Sequence, residues 1–306
     1  GKVEIPNKIP LDISGLLAYN HQQYYESSKL FIDTDVSTFI RQSETFAKIG
    51  IGMPFRTKAK IDLMVAYGIL DDQYYRDKRR TFHEAAFDYS RYNLFCGGIY
   101  YTKNSLNTKQ YPVSGHNHHL FAQFVSGRET FKPPGNGTGV KNNQSYIQIK
   151  ASLNNYHVVA RRFNFGYNIE GVVSSKNLWS NYTASVLQAP AYTPTPHSKL
   201  VFNEAFRANQ YLAGGITPIW KLNSTIHFRG DLDVFVPVYP IMRGDVNAAI
   251  YGKTFTKPAY LGEISLVAQL PFMSISLFVN HYSYPTGNWN MGLNIGYLIF
   301  GTKFIR

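Results

Sequence analysis

The chain has little cysteine and little charge, and both scarcities restrict the fold. Cys96 is the single cysteine among 306 residues, so no intrachain disulfide framework supports the structure. Charged residues make up 16% of the chain, against about 25% in an average soluble domain. In their place stand 23 Tyr, 21 Phe and 24 Gly. This aromatic-rich, charge-poor composition favours an extended β protein.

Long hydrophobic runs are also missing. A membrane-spanning helix needs about 20 consecutive apolar residues, and Lys, Arg, Asp, Asn or Gln interrupts every stretch of that length here. A helical multispan membrane protein is therefore excluded. The chain opens GKVEIPNKIP, with no initiator Met and no basic segment followed by an apolar one. We expect a mature, trimmed or partial chain.

Many short segments alternate strictly between apolar residues and small or polar ones. At 226–236, for example, apolar residues alternate with His227, Arg229, Asp231 and Asp233. The same period recurs at 47–53, 60–67, 147–153, 163–170, 263–270 and 289–300. A period of two is typical of β-strands, and we predict about twelve of them; no stretch has a pattern that assigns it to a helix.

One apolar face per strand fits both a soluble sandwich and a membrane barrel. The barrel is favoured because aromatic residues near the strand ends suit the girdles of a lipid-facing band. These residues are Tyr67, Tyr100, Tyr101, Trp220, Tyr282, Tyr284 and Trp289. The polar faces also carry Lys, Arg, Asp and Glu at mid-strand, which a water-filled lumen tolerates and a dry sandwich core does not.

The predicted connections alternate in length, which is a further feature of membrane barrels. Short connections are predicted at 55–58, 154–161, 221–224 and 271–273, an intermediate one at 104–116, and longer ones at 71–80, 131–143, 175–210 and 237–259. Short periplasmic turns facing longer extracellular loops produce this alternation.

Four stretches carry a family resemblance: KNSLNTKQYPVSG at 103–115, VLQAPAYTPTPHSKLVFNEAFRANQYLAGG at 186–215, HFRGDLDVFVPVYPI at 227–241, and the closing run from YLGEISLVAQLPF to GYLIF. From about residue 75 onward the chain resembles the C-terminal barrel of patatin-like phospholipases. That barrel belongs to the outer-membrane assembly-factor superfamily, which includes BamA and two-partner secretion transporters. The resemblance implies an all-β transmembrane antiparallel β-barrel, with about sixteen strands expected and about twelve visible here.

The resemblance also implies a lumen site. In the superfamily a long extracellular loop folds into the lumen before the last five strands, and its arginine motif pairs with an inward acidic group. The long loop here ends in the segment 206–209 (FRAN), and five predicted strands follow. Because the family's usual motif is Arg-Gly-aromatic, only Arg207 is carried over, with Asp231 or Asp233 as its partner. The alternative is that Arg207 is a solvated loop residue.

Family members also carry a POTRA-type domain and, in the phospholipase branch, a patatin domain with a Gly-x-Ser-x-Gly nucleophile. This chain has no Gly-x-Ser-x-Gly segment. We therefore interpret residues 1–306 as one outer-membrane β-barrel domain that is not itself an enzyme. We hypothesise that it is the last part of such a barrel, with the first strands and the POTRA and patatin domains on another chain or removed.

Two further clusters could be read either as binding sites or as ordinary turn and loop residues. His116, His118 and His119 flank a turn without Cys or ordered carboxylates, so we expect neither a metal nor another cofactor. The charged segment 71–80 either contacts acidic lipopolysaccharide or a partner, or is a solvated loop. The net charge of +12 is spread over the chain rather than along one stripe, so we expect no nucleic acid partner.

The leading hypothesis is a bacterial outer-membrane barrel that anchors a patatin-like lipid hydrolase domain, and translocates or displays it. Its expected partners are outer-membrane lipids, lipopolysaccharide, a patatin or POTRA domain, and other outer-membrane subunits or a second copy. One alternative is a stand-alone pore with a cationic lumen, or an assembly-factor barrel. The other is a secreted, soluble β-sandwich that binds a ligand.

Overall fold

β-Strands dominate the structure, which is a computed structural model describing residues 3–4, 11–25, 38–56, 58–75, 87–135, 138–283, 289–297 and 303–305. The strands are β1 Val3–Glu4, β2 Asp12–Tyr25, β3 Thr38–Arg56, β4 Ala59–Tyr74, β5 Asp88–Asn104, β6 Gly115–Lys132, β7 Val140–Val158, β8 Phe163–Ser174, β9 Tyr211–Lys221, β10 Ile226–Pro237, β11 Ile241–Arg243, β12 Ala249–Tyr251, β13 Ala259–Gln269, β14 Ser274–Tyr282 and β15 Trp289–Ile295. One α-helix, α1 Tyr182–Leu187, lies between β8 and β9. None of the helices in the described ranges is long and apolar enough to cross a membrane.

Thirteen of the described strands form a single antiparallel sheet in the order β1 to β10, then β13, β14 and β15. Each strand pairs with its neighbours in sequence; Leu232 on β10, for example, lies opposite Ile216 on β9 and Gly262 on β13. β11 and β12 form a separate hairpin within the connection from β10 to β13. The predicted all-β architecture and its approximate strand number agree with this sheet.

The sheet has one apolar face and one polar face. On β10, Phe228 and Leu232 are 45% and 58% exposed, whereas Arg229, Asp231 and Asp233 are each at most 5% exposed. Successive side chains of a strand point to opposite faces, so the charged residues all face inward and the apolar ones outward. Such an outer face suits lipid rather than water.

The aromatic residues expected at the strand ends divide between the two faces. Trp220 and Trp289 point outward, at 54% and 72% exposure, and fit an interfacial girdle. Tyr100 and Tyr282 were wrongly expected there, because they are 5% and 8% exposed and lie on the inward parity of β5 and β14. Tyr284 lies outside the described residues.

The two ends of the sheet differ in the length of their connections. At the short-turn end, connections of two to four residues join β3 to β4, β7 to β8, β9 to β10 and β13 to β14. The opposite end carries the connections 133–139, 175–210 and 238–258. This agrees with the predicted alternation. The connection 105–114, between β5 and β6, also lies at the short-turn end and is longer than the other turns there.

Candidate functional site in the barrel lumen

Residues 175–210, which we call the lumen loop, lie against the polar face of the sheet. Their contacts reach from β2, where Tyr24 packs on Phe202 with ring centroids 5.5 Å apart, to β14, where Ser276 Oγ lies 3.3 Å from His197 Nε2. A sheet whose distant strands touch one loop must curve around it, so the loop occupies the lumen of a barrel. This is the position that the family resemblance implied, and five strands of the main sheet follow it.

The lumen loop contains α1, which the strand alternation did not predict. Asn181 caps its N-terminus by accepting a hydrogen bond from the Ala184 N–H at 2.8 Å. A helix of six residues is unstable alone, but five of its six residues are buried here. Tertiary packing, not a sequence period, therefore stabilises the helix.

Glu129 on β6 holds the start of the lumen loop. Its carboxylate is fully buried and accepts hydrogen bonds from the Ser180 N–H at 3.0 Å, the Ser180 hydroxyl at 2.6 Å and the Ser90 hydroxyl at 3.2 Å. Beside it, the Asn181 amide donates to Tyr74 Oη at 2.7 Å. Because a buried carboxylate is stable only when it is hydrogen-bonded, these donors fix the loop to the wall.

Lys176 is buried at the base of the lumen loop. Its ammonium group donates a hydrogen bond to the Gln188 carbonyl and lies 5.3 Å from the ring centroid of Tyr146 and 5.7 Å from that of Trp179. Burial lowers the pKa of Lys176 to about 7, although nearby carboxylates act in the opposite direction. Burial at the base of the loop therefore disfavours the charged form of Lys176.

Arg207 lies at the end of the lumen loop and binds the loop itself. Its guanidinium Nη1 donates to the carbonyls of Leu187 at 3.0 Å and Ala189 at 3.4 Å. The guanidinium carbon also stands 4.6 Å from the Phe202 ring centroid, in cation–π contact. The described contacts of Arg207 therefore link the end of the lumen loop to its middle part, at Leu187 and Ala189.

Asp231 and Asp233 lie on the inward parity of β10, and the contacts described for them are to residues other than Arg207. Asp231 forms a bidentate salt bridge with Arg229 Nε and Nη2, at 3.0 and 2.8 Å. Asp233 accepts a hydrogen bond from the Tyr192 hydroxyl at 2.7 Å. The physical reason is proximity, because residues two apart on a strand share a face and Arg229 reaches Asp231 without a loop.

Residues 105–114, which we call the inner turn, enter the lumen from the short-turn end. Tyr111 is 1% exposed, and its hydroxyl lies 2.9 Å from His197 Nε2 and 2.6 Å from Ser276 Oγ. On its other side, His197 Nδ1 lies 2.7 Å from Glu263 Oε1. Because the lumen loop comes from the opposite end, the two segments meet inside the barrel.

Glu263, His197 and Ser276 have the order of groups found in carboxylate–histidine–serine nucleophile systems. Ser276 is fully buried, however, and Tyr111 already contacts its hydroxyl. Phe278 stacks on His197 with ring centroids 3.5 Å apart. Phe278 and Tyr111 thus pack against the cluster, which joins the two inward segments.

Residues 303–305 of the C-terminal segment also lie in the lumen. Lys48 on β3 donates hydrogen bonds to the carbonyls of Lys303 at 2.6 Å and Phe304 at 2.8 Å. The Phe304 ring packs on Phe46, with centroids 5.5 Å apart. A third segment therefore occupies the barrel interior.

The other sequence-predicted clusters do not form a site in the described structure. His116 and His118 have ring centroids 5.1 Å apart, and His119 lies on the opposite parity of β6. Within the part of the chain that the structure describes, no group of three His, Cys, Asp or Glu side chains is placed to hold a metal ion. Asp72 of the charged segment is buried on β4, and residues 76–80 lie outside the described residues.

The residues that organise the lumen were largely missed by sequence reasoning. The inward parity of Glu263 was visible in the alternation, but its partner His197 lies in a loop without a period. Tyr111 likewise lies in a connection that the sequence marked only as intermediate in length. Contacts between two loops leave no periodic signal in the sequence, so only the fold reveals them.

Comparisons with known proteins give structural matches alone, since no family model and no curated protein matches this chain. BamA from Haemophilus ducreyi lacking POTRA domains 1-3 is similar at a TM-score of 0.57 and 11% identity, covering 96% of this chain and 60% of that one. The transport unit of the autotransporter AIDA-I from Escherichia coli gives 0.40 and 10%, covering 94% and 89%. The translocator domain of the autotransporter NalP from Neisseria meningitidis gives 0.36 and 8%, covering 95% and 88%.

The similarity to the BamA structure shows the fold. The predicted all-β transmembrane antiparallel β-barrel is confirmed, and the predicted localisation in the bacterial outer membrane agrees with it. The chain spans 60% of the length of that BamA structure. The finer link to patatin-like phospholipases stays a prediction from sequence resemblance.

Proposed function

We propose that this chain is an outer-membrane β-barrel that anchors a patatin-like lipid hydrolase domain, and exports or displays it. The filled lumen is the observation that supports an anchoring role. The lumen loop and the inner turn enter from opposite ends and meet at His197 and Tyr111. An anchor needs only a lipid-facing surface and satisfied backbone groups. Here the outer face is apolar, and every described strand between the two ends of the sheet pairs on both sides.

A diffusion pore is the weaker alternative. Pores of the porin type keep a water-filled channel through a large barrel, whereas here three segments occupy the interior. Export or assembly remains compatible with the barrel, provided that the lumen loop moves. The geometry therefore favours an anchoring, assembly or translocation barrel over a constitutively open channel.

The hydrolase partner rests on the sequence resemblance. Catalytic residues would lie in the partner domain, because this chain contains no Gly-x-Ser-x-Gly nucleophile segment. Outer-membrane lipids and lipopolysaccharide would surround the apolar outer face. A POTRA domain, other outer-membrane subunits or a second copy of the chain are further partners in this proposal.

The test is gel migration of the detergent-extracted native protein, unheated and boiled, with mass spectrometry of the unheated band. We expect a compact band that shifts on boiling, because a folded transmembrane barrel resists detergent until it is heated. We also expect that band to contain peptides of a patatin-type domain, on the same chain or as a co-migrating fragment. The boiled sample, in which the fragment separates, is the control.

The two parts of the proposal fail in different ways. A compact, heat-sensitive band without hydrolase peptides contradicts the anchoring of a hydrolase and leaves the barrel intact. Solubility without detergent, together with no shift on boiling, contradicts the membrane barrel itself.

A further inference from the structure

Four cations cluster on the barrel wall, at the end of the sheet that carries the long connections. They are Arg91 on β5, Arg128 and Lys132 on β6, and Lys141 on β7, and all of them are exposed. Thr130 lies at their centre. Arg91 and Lys141 stand directly opposite it on the two neighbouring strands. Arg128 and Lys132 lie two residues before and after it along β6. We call these four cations the cationic patch.

The parity of the strands places the cationic patch outside the barrel. On β6, Val125 and Glu129 are fully buried inside, whereas Phe124, on the other parity, is 46% exposed. Alternate residues of a strand share a face, so the patch residues of β6 face outward with Phe124. Residues directly opposite each other on paired strands also share a face. The whole patch therefore faces outward.

The cationic patch carries more positive charge than the described residues beside it balance. Arg91 Nε lies 3.7 Å from Asp71 Oδ1 on β4, and that oxygen also accepts a hydrogen bond from the Tyr89 hydroxyl. Arg128 Nε donates to the side-chain oxygen of Asn143 at 2.9 Å, which is a neutral acceptor. One carboxylate thus stands beside four cations. Since like charges at neighbouring positions destabilise a sheet, an anion bound here would stabilise the wall.

The spacing of the cationic patch suits an anion with more than one phosphate group. Arg128 and Lys132 are separated by about 14 Å along β6, at about 3.4 Å per residue. Arg91 and Lys141 are separated by two strand spacings, about 10 Å. A single phosphate group cannot contact cations so far apart. Guanidinium groups bind phosphate oxygens through two parallel hydrogen bonds, and ammonium groups bind them as point charges.

An apolar surface lies directly below the cationic patch on the same three strands. Phe95 on β5 and Phe124 on β6 are each 46% exposed, and Ile147 on β7 is 55% exposed. Four residues separate Arg91 from Phe95 along β5, and four separate Arg128 from Phe124 along β6. Such a change from charged to apolar residues marks the boundary between lipid headgroups and acyl chains.

The cationic patch is not a general feature of the lipid-facing wall. The outward positions of β8, β9, β10, β13, β14 and β15, as the structure describes these strands, carry no Lys, Arg, Asp or Glu. Uniform attraction to anionic headgroups would not require the cations to gather on β5, β6 and β7. Their concentration around one residue indicates a specific ligand.

We propose that the cationic patch binds an acylated glycolipid with more than one phosphate group, which is the chemistry of lipopolysaccharide. The phosphates lie among the four cations around Thr130, and the acyl chains lie on the apolar surface below. Long connections are extracellular in outer-membrane barrels, so the patch faces the outer leaflet. The inference deepens the proposed function by assigning this lipid a site; it rests on the membrane barrel and not on the hydrolase.

The test measures binding of fluorescent diphosphoryl lipid A to the whole chain, folded in zwitterionic detergent, by fluorescence anisotropy. We expect saturable binding, weakened about tenfold or more in Arg91→Gln/Arg128→Gln, because each cation near a membrane surface contributes a factor of about five. Lys253→Gln/Lys257→Gln is the matched control. It removes two exposed lysines from the connection 238–258, at the same end of the barrel, and should keep the wild-type affinity.

A second variant tests the other half of the cationic patch. Lys132→Gln/Lys141→Gln changes two exposed strand-end residues, and it should weaken binding by a similar factor even if the arginine variant does not fold. Gel shifts on boiling show whether each protein forms a barrel. Loss of the shift in the wild type contradicts the membrane barrel, whereas a retained shift without binding contradicts the site alone.

Competition identifies the chemistry of the ligand. Unlabelled diphosphoryl lipid A should displace the probe, whereas lipid A without phosphates should not, and phosphatidylglycerol should compete at least tenfold more weakly. This pattern, with weakening confined to the two patch variants, supports the site. Equal affinities of patch and control variants, equal competition by phosphatidylglycerol, or no saturable binding overturns it.

Discussion

Lys176 shows how a single buried group ties the stability of the lumen loop to pH. Burial lowers its pKa from the ordinary 10.5 to about 7. Between these two values the unfolded chain holds a proton that the folded chain has released. The free energy of unfolding therefore rises with pH across this window, and below about pH 7 the cost of burying the charge is fully present.

We predict that Lys176→Met removes this pH dependence. The wild type should gain up to about 1.4 kcal/mol of unfolding free energy per pH unit between pH 7 and 10 from this one group. The measurement is urea unfolding in detergent at pH 7, 8 and 9. Lys253→Met, at an exposed position, should keep the wild-type slope. A slope that is the same in Lys176→Met and the wild type would contradict a depressed lysine pKa.

The lumen loop and the inner turn meet inside the barrel. They are joined by side-chain hydrogen bonds and do not pair as strands. Tyr111, His197, Ser276 and Glu263 form the meeting point through short hydrogen bonds. Removing the lumen loop leaves the inner turn without this partner. The wall itself need not break, because β8 and β9 already pair directly, with Val172 opposite Tyr211.

We predict that replacing residues 178–206 with a short Gly-Ser linker gives a folded barrel that conducts ions. In planar bilayers the wild type should remain closed, and the variant should show steady conductance, since the largest inward segment is gone. The matched control carries the same linker at 133–139, a connection between β6 and β7, and should remain closed. Steady conductance of the wild type at the same level as the variant would refute the lumen loop as a plug.

The molecule as a whole is organised by its outer face. Large apolar side chains are exposed along the sheet, including Leu232 at 58% and Leu293 at 59%, while Glu129 and Glu263 are buried inside. This inverts the arrangement of a soluble protein, where apolar residues are mostly inside. The inversion is stable only if lipid, not water, surrounds the barrel.

We predict that Leu232→Arg destabilises the barrel in phospholipid vesicles by about 2–4 kcal/mol, the cost of arginine near the bilayer midplane. Phe272→Arg is the control. Phe272 is 74% exposed but lies in the turn between β13 and β14, so its cost should be about 0–1 kcal/mol. Denaturant unfolding in vesicles measures both changes. If the chain were a soluble sandwich, both exposed substitutions would fall within about 0.5 kcal/mol of the wild type.

The sequence by itself determined most of the strands, which face of each strand is apolar, and which connections are short or long. Alternation with a period of two is a local property, so the inward parity of Asp231 and Asp233 and the outward parity of Trp289 could be predicted from neighbours alone. The same reasoning bounded the lumen loop at 175–210, because a long stretch without a period separates two periodic ones.

Only the tertiary structure decided what fills the lumen and which groups pair there. Arg207 binds carbonyls of its own loop, whereas Asp231 pairs with Arg229 and Asp233 with Tyr192. Tyr111 and His197 are 86 residues apart in sequence and meet only once the sheet has curved. Contacts between segments without a period depend on how the sheet closes around them, and no local pattern encodes that geometry.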